Sequence, residues 1–114
     1  MKLVSIVVPC YNEQEVLPLF YDEIIKVTDS MKAEFSELEF EFLFINDGSK
    51  DKTWEIIQEL HSTDPTVFSG IDLARNSGHQ NAVLAGLMTV KDICDVAITM
   101  DADLQDDINA IDAM

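Results

Sequence analysis

Residues 96–107 read VAITMDADLQDD, from Val96 to Asp107, and the short apolar segment in this stretch runs without a break into a row of acids. Val96, Ile98 and Thr99 are β-branched, which suits an extended strand. Asp101, Asp103, Asp106 and Asp107 then crowd together, with Gln105 among them. Carboxylates set two apart at the mouth of a buried strand are costly unless a cation neutralises them. Their hard oxygen donors suit Mg2+ or Mn2+, and such a site commonly combines one or two carboxylates with the phosphates of a substrate. Whether this strand-to-acid unit stands alone or repeats decides the fold.

It repeats, with different polar endings. The same reading gives earlier strands over Leu3 to Val8, Phe40 to Ile45 and Val67 to Leu73, with the last over Asp95 to Met100. Between them lie helical patterns, from Glu15 to Lys32, Lys52 to His61 and His79 to Val90, and a fourth begins near Asp106. Val16, Phe20, Ile24, Val27 and Met31 recur at three-to-four spacing, and Pro18 is tolerable only in that helix's first turn. Phe40, Phe42 and Phe44, and likewise Trp54, Ile57 and Leu60, read as core. Ala82 and Gly86 lie one turn apart, which predicts a close approach of that helix to the sheet. Alternation of strand and helix at this spacing predicts an α/β fold with a doubly wound, mainly parallel sheet and helices on both faces. Near-continuous apolar strands fit burial on both faces. Ligands of such sheets bind beyond the carboxyl ends of the strands. The residues there are Pro9 to Glu13, Asn46 to Ser49, Ala74 to Gly78 and Asp101 to Gln105, so these four clusters are expected along one edge.

Composition narrows the partners. The 114 residues hold 22 acidic against 7 basic side chains, a formal charge of −15. A nucleic-acid backbone needs clustered Lys and Arg, and an anionic membrane surface asks for the same, so neither is an expected partner of this segment. A divalent cation can still bridge an acidic chain to an anionic nucleotide. Cys10 and Cys94 form no metal-ligand pattern and read as small hydrophobes in a reducing compartment. No apolar run approaches the ~18 residues of a membrane span, and the opening MKLVSIVVP reads as a strand rather than a signal peptide. The last helical pattern has no stop signal, so the chain is expected to be the front part of a longer domain.

The segments SIVVPCYNE (5–13), FINDGSKDKT (44–53), LARNSGHQNAVLAG (73–86) and MDADLQDD (100–107) together resemble the family 2 glycosyltransferases, which transfer sugars from nucleotide diphosphates on the GT-A fold. The form DADLQD is most similar to the polyisoprenyl-phosphate glycosyltransferases, such as the dolichyl-phosphate mannose synthases. Two positions depart from the pattern. Asn46 stands where the family often has Asp, and Asp107-Ile108 where the subgroup commonly has a proline. The resemblance implies that Pro9, Tyr11 and Glu13 contact the nucleoside and that Asp47 accepts a hydrogen bond from a ring N–H of the base. It implies that Asp101, Ala102 and Asp103 form the D-x-D motif holding ribose, diphosphate and metal, with Gln105 completing the metal's protein ligands. Asp103 would act catalytically through that metal.

The implied reaction is an inverting displacement at the anomeric carbon, assisted by Mg2+ or Mn2+. A lipid-phosphate acceptor is already an anion and hardly needs a general base; a glycan hydroxyl needs one, and it would lie outside this segment. The whole of 1–114 is thus expected to be the nucleotide-sugar-binding part, with the acceptor-binding part absent. A cytoplasmic location follows, at a membrane face in the full-length protein through its other segments. Arg75 and His79 flank Gly78 at a helix start and are weaker candidates for a phosphate neighbourhood.

Readings from other classes fare worse. Asp101, Asp103, Gln105 and Asp112 fall at EF-hand positions 1, 3, 5 and 12, but Asp106 occupies position 6, where the turn needs glycine. A non-catalytic, receiver-like domain shares the sheet and the acids but not the PCYNE segment. Neither GxGxxG nor GxxxxGK[ST] is present, which removes Rossmann dinucleotide and P-loop binding.

Overall fold

The computed structural model describes residues 2–73 and 75–100. Four strands alternate with three helices in the order β1 (Lys2–Cys10), α1 (Leu17–Glu34), β2 (Leu38–Asn46), α2 (Thr53–Thr63), β3 (Phe68–Asp72), α3 (His79–Val90) and β4 (Val96–Thr99). The predicted helix from Asp106 lies outside the described residues. All strands are parallel, in the sheet order β3-β2-β1-β4. The chain moves outward from β1 through β2 to β3, then returns across the sheet to place β4 on the other side of β1. That reversal creates a switch point between β1 and β4, where adjacent loops part and leave a crevice.

The helices divide between the faces as burial requires. Val4, Ile6, Val8 and Cys10 of β1 and Phe40, Phe42 and Phe44 of β2 meet Leu17, Phe20, Ile24 and Met31 of α1, together with Ile57 of α2 and Phe68 of β3. Phe42 and Phe44 both stack on Phe68, with ring centroids 5.7 and 6.2 Å apart. The intervening residues Val7, Leu43 and Ile45 face the other way, onto Ala82 and Val90 of α3. Period-two alternation along β1 and β2 thus feeds two cores at once, which is why these strands read as unbroken apolar runs.

Element edges differ from expectation by a few residues. β1 and β2 each extend to nine residues because parallel pairing holds from Lys2 with Leu38 to Cys10 with Asn46. α1 starts two residues later than the apolar period implies, at Leu17, with Pro18 in the first turn. There the missing N–H of proline removes no helical bond. Pro9 sits inside a central strand. Leu3 and Val7 turn their carbonyls to the β4 side, accepting from Asp95 and Met100 N–H. Pro9, of the same parity, directs its nitrogen that way too, past the last pair among the described residues, Val7 with Thr99.

Cys10 is buried and Cys94 half-buried, both as free thiols. Burial, with the Glu13 charge adding to it, pushes the Cys10 thiol far above its ordinary range, so it is an inert packing group. Among the described residues no helix is long and apolar enough to cross a membrane.

Gly86 shows how closely α3 lies on the sheet. A methyl group there would meet Val7 Cγ1 at 2.4 Å and Ile45 Cδ1 at 3.2 Å, and both side chains are fully buried. Replacing Gly86 by Ala therefore opposes two effects. Helix propensity gains up to about 1 kcal/mol, while overpacking costs about 1–3 kcal/mol. The clash should win, and Gly86→Ala is expected to lower the urea midpoint without changing the slope. An unchanged or higher midpoint would show that α3 can lift off the sheet freely.

Candidate functional site

The loops that leave β1 and β2 at their carboxyl ends are stitched together. Asn12 N–H donates to Ser49 Oγ at 2.9 Å, and Lys50 N–H donates back to Asn12 Oδ1 at 2.9 Å. Glu13 N–H donates to Thr53 Oγ1 at 2.8 Å, and Gln14 N–H to Asp51 Oδ2 at 3.3 Å. Lys52 N–H returns a bond to Gln14 Oε1 at 3.1 Å, and Asp47 N–H closes the base of the stitch on the Cys10 carbonyl at 2.8 Å. Loop backbone groups that could not join the sheet ladder are thus satisfied by side chains of the opposing loop. Asn12 takes a φ of 54°, a left-handed conformation that Asn tolerates better than most residues. Beside it Tyr11 is 44% exposed, an aromatic face standing open at the rim.

Asp51 anchors the start of α2. It accepts from the Thr53 N–H at 2.9 Å and from the Thr53 hydroxyl. Burial works to raise its carboxyl, but the Thr53 hydroxyl and the Thr53 and Gln14 N–H groups outweigh it and hold the carboxyl below the usual range.

A third loop joins from β3. Asp47 is buried, 3% exposed. Its Oδ1 accepts from Ser77 N–H at 2.7 Å, while the Asn76 amide donates to its main-chain carbonyl at 3.1 Å and to Oδ2 at 3.3 Å. Gly48, at a φ of 70°, lets this loop pass: a Cβ on it would stand 2.3 Å from Asn76 N. Asn46, also buried, donates to Asp72 Oδ1 at 2.8 Å, across the β2–β3 pair. That contact explains an amide where the family often has an acid, since a second carboxylate would face Asp72 unpaired.

Of the sequence-predicted residues, Pro9, Tyr11, Glu13 and Asp47 do gather at the expected edge, in one knot of loops. Pro9 is buried within β1 and Glu13 is half-buried. Arg75 is exposed in the third loop, and His79 opens α3. Asp101, Ala102, Asp103, Gln105, Asp106 and Asp107 lie outside the described residues. Met100, the last described one, donates its N–H to Val7 O at 3.0 Å, at the same edge of β1. Among the described residues no group of three or more His, Cys, Asp or Glu could hold a metal. An open groove of about 460 Å³, lined by Gln14, Glu15, Lys52, Glu55, Ile56 and Glu59, includes none of the predicted nucleoside contacts. The sequence places Asn76 and Ser77 at this edge but not their hydrogen bonds to Asp47, and it gives no sign that Asp51 and Thr53 bond the loop after β1.

The model of the family described as Glycosyl transferase family 2 matches residues 5–114. An uncharacterized glycosyltransferase of Bacillus subtilis, YkoT, is 44% identical over 110 residues, covering 96% of this chain and 32% of its own. The bactoprenol glucosyl transferase of Shigella phage SfX is 42% identical over 111 residues, covering 95% of this chain and 33% of its own. The chain thus spans about a third of the length of the curated relatives it matches. Among solved structures, the mannosyltransferase PcManGT of Pyrobaculum calidifontis, in complex with GDP-Man and Mn2+, superposes with a TM-score of 0.69 at 22% identity. That match covers 88% of this chain and 27% of PcManGT, and it bears out the GT-A fold.

Two substitutions should both lose their effect in acid, the first because wild type weakens and the second because the variant recovers. The folded Asp51 carboxyl is lowered, so its contribution is present above the unfolded value and fades as pH falls through the folded one. Asp51→Ala should cost about 1 kcal/mol at neutral pH, and the gap from wild type should close in acid. Asn46→Asp sets two carboxylates against each other and raises their folded titration. It should destabilise by about 1–3 kcal/mol at neutral pH and recover as pH falls. Thermal melts across pH 3–8 check both (roughly the carboxylate-to-neutral span), and parallel curves for wild type and variants would refute the assignments.

Proposed function

The chain belongs to glycosyltransferase family 2, and from that premise we propose that it forms the donor site of an enzyme moving a sugar from a nucleotide diphosphate to a polyisoprenyl phosphate. The observation that carries this reading is the convergence of the loops after β1, β2 and β3 at the carboxyl edge of the sheet, which gathers Tyr11, Glu13 and Asp47 in one knot next to the β1/β4 switch point. The phage relative's being a bactoprenol glucosyl transferase supports a lipid-phosphate acceptor.

Roles follow from chemistry. Tyr11 offers a flat apolar surface to the nucleoside, with Pro9 and Glu13 beside it. Asp47 accepts the ring N–H of the base. Asp101, Ala102 and Asp103 meet ribose and diphosphate, and Asp101, Asp103 and Gln105 are the residues that would hold Mg2+ or Mn2+. Their oxygen donors fit either ion, and PcManGT was solved with Mn2+. When bound, the cation supplies Lewis-acid stabilisation of the leaving diphosphate, worth several kcal/mol. The stitched loops hold the nucleoside fixed, so the anomeric carbon is presented to the acceptor in one orientation. A phosphate acceptor arrives as an anion and displaces the nucleotide with inversion in a single step. No residue here has to remove a proton.

The decisive measurement is sugar transfer by the full-length protein to polyprenyl phosphate in vesicles. Transfer should need Mg2+ or Mn2+, stop with EDTA, and fall by about a hundredfold or more in Asp103→Ala. Transfer that survives both treatments would overturn the reading.

A further inference from the structure

Three consecutive main-chain N–H groups of the loop after β1 end on side chains of the stretch 49–53. Asn12 donates to Ser49 Oγ, Glu13 to Thr53 Oγ1 and Gln14 to Asp51 Oδ2. Of these three acceptors only Thr53 is fully buried. Its hydroxyl has one proton to give. Asp51, ionised at neutral pH, can only accept, so that proton goes to Asp51 Oδ1. A lone pair is left for the Glu13 N–H, 2.8 Å away. The Glu13 carbonyl in turn accepts from Val16 N–H at 3.1 Å and Leu17 N–H at 3.0 Å, the entry to α1. Glu13 is therefore the joint at which α1, α2 and the rim loop meet.

Tyr11 is strung beside this joint. On one side Cys10 is held by the β1–β2 pairing; on the other Asn12 is held in its left-handed turn by bonds to and from the opposite loop. The ring stays in one place although it is 44% exposed. Water can replace the partners of the exposed Asn12 and Gln14 bonds. The Glu13 N–H faces a buried hydroxyl instead, so loss of that acceptor obliges the loop to move. Resting on the donor-site reading above, we propose that Thr53, oriented by Asp51, is a positioning residue for the donor nucleotide: its buried hydroxyl fixes the Glu13 peptide and, through it, the Tyr11 face offered to the nucleoside. This gives a task to Asp51 and Thr53, the part of the segment 44–53 to which the sequence alone assigns none.

Calorimetric titration of the full-length protein with UDP and with GDP, each with Mn2+ and well below the melting temperature, tests this. Thr53→Val keeps the shape and the Thr53 N–H bond to Asp51 that starts α2, but removes the acceptor for Glu13. Whichever nucleotide the wild type binds should be weakened about tenfold, the equivalent of one lost hydrogen bond. Thr53→Ser restores the hydroxyl and should bind within about twofold of wild type. Ile57→Val, in the core under α2, should lower the melting temperature and leave affinity alone. Wild-type affinity in Thr53→Val overturns the positioning role, and so does a Thr53→Ser protein as weak as Thr53→Val. An equal loss in Ile57→Val does the same, since any destabilisation would then suffice. Should Thr53→Val fail to fold, Asp51→Ala probes the joint from its other end, where the hydroxyl loses the partner that orients it; unchanged affinity there sinks the proposal. A wild type that binds neither nucleotide removes the donor-site reading and this inference together, before any variant is made.

Discussion

Pairing of β1 with β2 over nine residues and with β4 over four sets where every polar group at this edge can be. A strand paired on both sides and covered on both faces cannot shift by one residue without exposing its apolar half. Its register therefore fixes the height at which Cys10 ends and the loop of Tyr11 begins. The same register brings Asn46 level with Cys10, and Asp47 N–H reaches the Cys10 carbonyl. The site inherits its geometry from the hydrophobic core beneath it, which it meets at Cys10.

What stands on that edge is mostly polar backbone in need of partners. Three loops converge where no ladder continues, and side chains of Asn12, Gln14, Asp47, Ser49, Asp51 and Thr53 take over the ladder's work. The carboxylates among them serve as acceptors for N–H groups, which explains part of an acidic composition that salt bridges do not. The exposed Lys26–Glu23 ion pair stands at 3.7 Å, and such pairs contribute little. Acidity here is structural near the loops and solvating elsewhere.

The sequence made the layers legible because burial leaves a periodic trace. The Phe40, Phe42, Phe44 stripe and the Phe20, Ile24, Met31 stripe both fall in the α1/α2 core, and His79–Val90 is helical from end to end as its pattern implies. The spacing of Ala82 and Gly86 likewise foretold a helix lying close on the sheet. Strand ends were harder, because β1 and β2 run on through Cys10 and Asn46 for reasons of pairing rather than hydrophobicity. The clamp on Asp47 was invisible in advance. Asn76 and Ser77 act across about thirty positions of chain, and no local pattern records a hydrogen bond between two loops that meet only after folding. Asn46 stood out as a departure from the family, yet its partner Asp72 had to be seen in space.

The reciprocal stitching of the loops after β1 and β2 has a consequence for anyone who swaps parts among relatives. Asn12 and Ser49, Gln14 and Asp51, and Glu13 and Thr53 each place donor and acceptor on different loops. A graft that imports one loop alone strands its bonding groups against a foreign neighbour. The two stretches are one heritable cassette, to be exchanged together or left alone.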